Sequence, residues 1–391
     1  MPQVRIPATF IRGGTSRGLF FLREDLPADE ADWDAIFLAA LGSPDPHERQ
    51  LDGLGGGISS LSKVVVVERS ERAGVDVEYT FGQVGVAAPV VEYGNNCGNL
   101  TAAVGPFAVD AGLVEATGSN AVVRLYNRNT GKHIVSRFPL DQDEAAVDGD
   151  FVLQGVAGRG APIELQFENP EGAVTGRLLP SGSPSDILDV PGIGPVEVSI
   201  VDATAVVTFM RASVVGLTGT ETPAELEASA ALLDRLEAIR RCAAVRAGLA
   251  ESMDEAARGS RNRPFLVLLA PPRDAASLSA EPILAADVDI SARALSMGRP
   301  HRALPLTSAL CLAAACEIKG SVPWETAESL GEEAPLLRIG HPSGVMSVSA
   351  TVEKTDDGWR VDCVSAHRTA RRLMEGNVLV PQSRLSAGVA R

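Results

Sequence analysis

The sequence predicts an α+β protein of two similar β-rich halves, each wrapped around one apolar helix, with a site in the cleft between them. Three observations predict it. Two polar turns feed helices built almost wholly from small apolar residues, at 100–110 and 306–315, the composition of a helix enclosed by other elements. Short segments of alternating or continuous apolar character, separated by Gly, Asp and Pro, fill much of the remaining chain, as strands do. A chain of 391 residues with 45% hydrophobic content can bury two cores. The composition changes around Leu178-Leu179-Pro180-Ser181-Gly182-Ser183-Pro184-Ser185, so the boundary is placed there. The expected domains are 1–184 and 185–370, with a last strand, about 371–391, able to return to the first.

Taken in order, residues 4–11 read as a strand, Arg12-Gly13-Gly14-Thr15-Ser16-Arg17-Gly18 as a tight turn, and 19–22 as the returning strand. Backbone amides, hydroxyls and two arginines make that turn a candidate anion cradle, though an ordinary hairpin turn would look the same. Residues 27–41 predict a helix with acidic residues in its first turn. A long glycine-containing loop, 42–62, then leads to Lys63 and the apolar strand 64–67. Strands are expected at 121–126, 133–138, 151–156 and 163–167, and two more within 196–210. Thr222-Pro223-Ala224-Glu225 opens an amphipathic helix carrying Leu226, Leu233, Leu236 and Ile239, which should pack outside a sheet. Strands at 265–269 and 287–294 precede the basic turn Ser296-Met297-Gly298-Arg299-Pro300-His301-Arg302 and the second apolar helix. Gly340-His341-Pro342-Ser343-Gly344 separates two later strands, 359–365 is another, and Arg368 to Gly376 leads into a last strand at 378–380.

Composition narrows the partners. The formal net charge of −15 argues against nucleic acid. The five cysteines, Cys97, Cys242, Cys311, Cys316 and Cys363, are odd in number and contain no CxxC pair, so neither a zinc ribbon nor a disulfide framework is supported. Arginines interrupt any leader-like apolar run near the N-terminus, and the longest apolar stretch, 303–316, is too short to span a bilayer. A cytoplasmic protein without membrane contact is expected. No GxGxxG after a strand, no GxxxxGK[ST] and no HExxH occurs, so no cofactor and no metal are expected.

Two residues carry the candidate chemistry. Cys97 lies in Tyr93-Gly94-Asn95-Asn96-Cys97-Gly98-Asn99, at the start of the first apolar helix. The first amides of a helix have no internal partner and can hold an oxyanion, and the positive end of the helix dipole favours a thiolate. A small buried cysteine after a turn is the plainer alternative. Lys63 stands at the mouth of a buried strand, where a lysine can act as a base, or can simply be a solvated strand end. Removing a proton next to a carboxylate or carbonyl needs a base, often an acid on another face, and a place for the negative charge.

Several motifs in the same order resemble the PrpF-like proteins, whose fold is the diaminopimelate-epimerase-like one. They are Arg12 to Gly18, Ser62-Lys63, Asn96 to Asn99, Val104-Gly105-Pro106-Phe107-Ala108, Arg293 to Gly298, Gly340 to Gly344 and Arg368 to Arg371. The family usually has Lys where this chain has Arg17, which keeps the charge and changes its geometry. The resemblance implies a cofactor-free isomerase or tautomerase that moves a proton on an unsaturated di- or tricarboxylate such as 2-methylaconitate, aconitate or 4-oxalomesaconate. It implies Lys63 as the base, Cys97 as a second acid–base or orienting group, and the amides of Gly98 and Asn99 as the anion hole. Thr15, Ser16, Arg17, Asn96, Arg299, His301, Ser308 and Ser343 would hold the substrate, and a homodimer or homotetramer is the implied assembly. Two other classes remain as alternatives: an accessory protein for an iron–sulfur dehydratase, and an amino-acid racemase. The racemase is disfavoured because Thr307 and Ser308 stand at the second helix start, where a two-thiol racemase has its other cysteine.

Overall fold

The structure, a computed structural model, describes residues 3–94, 96–259, 263–327, 336–356 and 358–385. Asn95, inside the expected turn before Cys97, and residues 386–391 of the expected last strand lie outside the described residues. The chain divides into two compact units, one reaching Leu165 and resuming at Arg368, the other Gln166–His367.

In the first unit, strand Gln3–Gly13 pairs antiparallel with Ser16–Leu22, which runs parallel to Lys63–Arg69. Lys63–Arg69 pairs antiparallel with Val77–Val84, which runs parallel to Asn120–Asn127, itself antiparallel to Lys132–Asp141. Ala370–Pro381 lies antiparallel on the other side of Gln3–Gly13. The second unit repeats the pattern. Gly194–Ala203 pairs antiparallel with Ala205–Arg211, which is parallel to Phe265–Ala270, which is antiparallel to Ile290–Ser296. Ile290–Ser296 is parallel to Leu337–His341, itself antiparallel to Gly344–Thr355, and Asp186–Val190 flanks Gly194–Ala203. In each unit a helical connection joins the second strand of this series to the third, and another joins the fourth to the fifth. A duplicated architecture follows from the order of pairings alone.

Each helix has its place for a physical reason. Trp33–Leu41 turns Ile36 and Phe37 onto Leu19, Phe21, Val64 and Val66 on the outer face of the first sheet. Burying each such side chain contributes about 1.5–3 kcal/mol. The inner face holds the Gly98–Asp110 helix, in which eleven of thirteen residues are buried, so it needs small apolar residues on every side. In the second unit, Leu236, Ile239 and Ala243 of Ala230–Arg246 pack on Val198, Ile200, Met210 and Leu268. There the central helix is Leu306–Glu317, buried at eleven of twelve positions. Val64 to Val67 are all buried because the strand is covered on both faces, which is why it reads as a continuous apolar run rather than an alternation.

The structure departs from the sequence reading in four places. Residues 151–156 form no strand, only the isolated bridge of Phe151 to Gly160. The helix begun at Thr222 is two pieces, Pro223–Glu227 and Ala230–Arg246, because Ser229 adopts an extended conformation and accepts a capping bond from the Leu232 amide. Arg371 to Gly376 do not lead into the last strand but are part of it. Val77–Val84, unread in the sequence, supplies the strand partner of Lys63–Arg69. Among the described residues, no helix is long and apolar enough to cross a membrane.

Candidate active site

Lys63 is the first residue of its strand and is only 8% exposed. Its Nζ donates to Gln83 Oε1 at 2.5 Å and lies 5.0 Å from the centre of the Phe81 ring. Gln83 is held in turn, its Nε2 donating to the carbonyls of Ser62 at 2.9 Å and Ser59 at 3.1 Å. Lys63 and Gln83 are direct partners in the antiparallel ladder, which places them on one face. Among the described residues no carboxylate pairs with Lys63. With an amide oxygen and a ring as its partners, Lys63 leaves room for a ligand carboxylate that meets no competing carboxylate among the described residues.

Lys63 also faces the central helix. Tyr79, Phe81 and Gln83 share a strand face, and the Tyr79 hydroxyl bonds to Thr101 Oγ1 at 2.9 Å and Asn96 Oδ1 at 3.1 Å. Burial pushes the Tyr79 phenol well above its ordinary range, opposed by these hydrogen bonds, so it stays a neutral donor. Gly18 stands between the two elements. A Cβ there would come within 2.4 Å of the Lys63 carbonyl oxygen and 3.1 Å of Leu100 Cδ1, so only a glycine lets strand and helix approach this closely.

Cys97 is the N-cap of the helix, in an extended conformation, and its side chain makes no capping bond. Its carbonyl accepts instead from the Thr101 amide at 2.9 Å and Thr101 Oγ1 at 3.0 Å. The thiol is half-buried, and the amides of Gly98 and Asn99 open the helix beside it. Asn96 Oδ1 is occupied by Tyr79 and Thr101. Asn99 Nδ2 donates to Thr15 Oγ1 at 3.0 Å, which ties the helix to the turn after the first strand. From the opposite side, the fully buried Arg368 donates through Nε to Asn99 Oδ1 at 3.3 Å. Burial lowers that guanidinium to about 10. Thr15 thus joins the Cys97–Asn99 group, and Ser16, next in the chain, is buried opposite Gly13 in the hairpin. Arg17 does not join the group: it shares a strand face with Leu19 and Phe21, stacks 5.3 Å from the Phe10 ring centre, and lies on the outer side of the sheet.

The second-unit candidates form a group of their own. Ser343 Oγ donates to the Arg302 carbonyl at 2.6 Å, and its amide to His341 Nδ1 at 3.1 Å. His301 Nδ1 is engaged by the amide and carbonyl of Ala303. Arg299 is exposed in the short strand after the Met297-Gly298 turn. Ser308 is fully buried in the first turn of the Leu306–Glu317 helix, and its Oγ has no hydrogen-bond partner among the described residues. Gln83, Tyr79 and Thr101 were not singled out from sequence, and Arg368 was read only as part of the Arg368 to Arg371 motif, without a place in the site. The alternation of Tyr79, Phe81 and Gln83 was the available signal, but the register that sets Gln83 opposite Lys63 is a tertiary fact.

The family model described as PrpF protein matches residues 3–381. The chain belongs to the PrpF family. It is 39% identical to the 2-methyl-aconitate isomerase of Shewanella oneidensis, over 97% of this chain and 98% of that one. It is 38% identical to the 4-oxalomesaconate tautomerase of Pseudomonas putida, over 97% of each. Among solved structures, methylitaconate-delta-isomerase superposes with a TM-score of 0.83 at 37% identity, covering 99% of this chain and 98% of that one. A hydroxyproline epimerase from Agrobacterium vitis shares the fold alone, with a TM-score of 0.52 at 10% identity over 99% and 98% of the two chains. This PrpF protein is an isomerase or tautomerase with a mixed α+β fold of the epimerase type.

Proposed function

We propose that the protein moves a proton within an unsaturated di- or tricarboxylate, by a 1,3-allylic shift or a cis-trans change, using Lys63 and Cys97. The observation that carries this is Lys63 itself, a buried amine without a carboxylate partner among the described residues, on the sheet face that packs against a helix opened by a thiol. Lys63, as the amine, takes the allylic or α proton and returns one at the far end of the allyl system. Gln83 fixes the direction of its Nζ. The charge that develops on the dienolate falls on the amides of Gly98 and Asn99, which need no reorganisation to receive it. Cys97 is the second acid–base group. Thr15, Ser16 and Asn96 orient a substrate carboxylate, and Ser308, Ser343, His301 and Arg299 are the carboxylate-binding candidates of the second unit. Arg17 receives no role, since its side chain leaves the sheet on the other face.

The relatives act, by name, on 2-methyl-aconitate, 3-methylitaconate and 4-oxalomesaconate. Each of these acids has an allylic C–H acidified by a neighbouring carboxylate or keto group, and they differ in the groups around the double bond, so pocket shape decides among them. Proton NMR in D₂O with a panel of such acids tests the proposal. Deuterium uptake or isomer conversion is expected with one of them, and Lys63→Ala should lower the rate by about 10²–10⁴-fold, the usual worth of a positioned base. Full turnover in that variant would remove Lys63 from the mechanism.

A further inference from the structure

Three arginines stand abreast on the outer face of the first sheet. In the ladders, Arg12 is the direct partner of Arg17 on one side and of Arg371 on the other. Directly opposite residues on antiparallel strands share a face, and like charges so placed repel. The protein as a whole carries a formal charge of −15, so carboxylates are plentiful, yet none forms an ion pair with any of the three among the described residues. Arg17 is relieved by the Phe10 ring. Arg12 Nη1 has only carbonyl partners, Gly14 and Thr369, each at 3.0 Å. Burial and the neighbouring Arg371 hold the Arg12 guanidinium below its ordinary value.

Arg12 and Arg371 line a cavity of about 340 Å³ that also takes in Arg159, Phe151, Thr369 and Asp148. Arg159 follows the 151–156 segment that forms no strand, where the chain folds back so that Gly160 bridges Phe151 and packs near Thr369. Its Nη1 donates to the Asp150 carbonyl at 3.2 Å. Three guanidinium groups against the single carboxylate of Asp148 leave a net positive hollow, of a size that holds a small molecule. The cavity lies on the outer face, whereas Lys63 and the Cys97 helix start belong to the inner one.

We propose that this hollow is a second anion site, taking a small polyvalent oxyanion, either a tricarboxylate or a phosphate, between Arg12, Arg159 and Arg371. Planar guanidinium forks match both groups in a bidentate manner. The bound anion relieves the repulsion between Arg12 and Arg371. Arg12 also holds the Gly14 carbonyl in the turn whose Thr15 is bonded to Asn99, so occupancy reaches the catalytic helix through two hydrogen bonds.

Calorimetric titration of the full chain with citrate, and separately with inorganic phosphate, tests this. It is repeated on Arg371→Gln and on the Arg159→Gln/Arg371→Gln pair, with circular dichroism to show that each is folded. One binding event should weaken at least tenfold in Arg371→Gln and vanish in the pair. The Tm of Arg371→Gln without ligand should equal or exceed that of the parent, because a like-charge contact is gone. Loss of the event with citrate alone, or with phosphate alone, supports the site and identifies its ligand. If the folded parent binds neither anion, or if both variants keep every event, the proposal is overturned, and binding that survives unchanged belongs to another site such as that of Lys63.

Discussion

The two central helices, Gly98–Asp110 and Leu306–Glu317, hold the same place in two copies of one architecture, yet their first turns differ in every functional respect. The first is capped by Cys97 in an extended conformation, followed by Gly98 and Asn99. The second is capped by Pro305, followed by Leu306 and Thr307. Matching N-caps sets Pro305, not Thr307 or Ser308, against Cys97. The hairpin turn beneath each helix differs likewise. In the first unit it is Gly14 that takes a positive φ of 53°, and Asn99 reaches across to Thr15. In the second Thr204 takes the positive φ, at 69°, and donates its hydroxyl to the Thr307 carbonyl at 2.8 Å. One copy keeps a thiol and a polar, accessible helix start, while the other closes its turn on itself. Of the two helix starts, only the first carries a thiol, and it is the one that packs against the sheet face of Lys63.

The comparison breaks most readily at Cys97. Cys97→Ala should lower kcat by about 10²–10⁴-fold, about 3–5 kcal/mol of barrier, while Tm stays within a few degrees, since the side chain caps nothing. Steady-state kinetics beside a melting curve separates the two effects. A Cys97→Ala enzyme with near-parental kcat would show that the thiol only fills space and that the two helix starts are functionally alike.

The next largest effect lies in the turns. A Cβ on Gly14 would sit 2.3 Å from Asn99 Oδ1, at a φ that costs an L side chain about 1–2 kcal/mol. Gly14→Ala should therefore cost about 2 kcal/mol of stability and raise KM, as Asn99 is pushed from Thr15. Thr204→Gly should be close to neutral. It relieves the same backbone strain and forfeits one hydrogen bond of about 1 kcal/mol. Equal losses in the two variants, by urea denaturation, would mean that the turns have the same role after all.

Much of this was legible in the residues. Both central helices, the strands beside them and the outer helix around Leu236 follow from composition and period, because enclosure demands small apolar residues and a half-covered helix demands a stripe. Cys97 stood out as a thiol at a helix start in a Gly/Asn-rich turn, and Lys63 as a lysine at the mouth of a buried strand. What could not be read is register and facing. The bond from Lys63 to Gln83 spans twenty residues, and Arg17 leaves the sheet on the face away from Lys63 although it is two residues from Thr15. Residues 151–156 have the alternation of a strand, but they serve instead as one wall of the arginine-lined hollow. Pairing across a sheet is settled by the whole fold, and no local pattern records it.

The smallest effect sharpens the comparison at Ser308. Its hydroxyl is fully buried and unpartnered among the described residues, at the third position of the second helix. An unsatisfied buried hydroxyl costs about 1 kcal/mol or more, so a methyl group in its place should stabilise the unliganded protein. Ser308→Ala should raise Tm by a few degrees. If the hydroxyl is kept for a substrate carboxylate, the same variant should raise KM with little change in kcat, because it removes a contact made alike in ground and transition states. A higher Tm with unchanged KM would make Ser308 a packing residue and leave substrate binding in the second unit to Ser343, His301 and Arg299. A lower Tm would mean that the hydroxyl has a partner in the native protein and is not held in reserve.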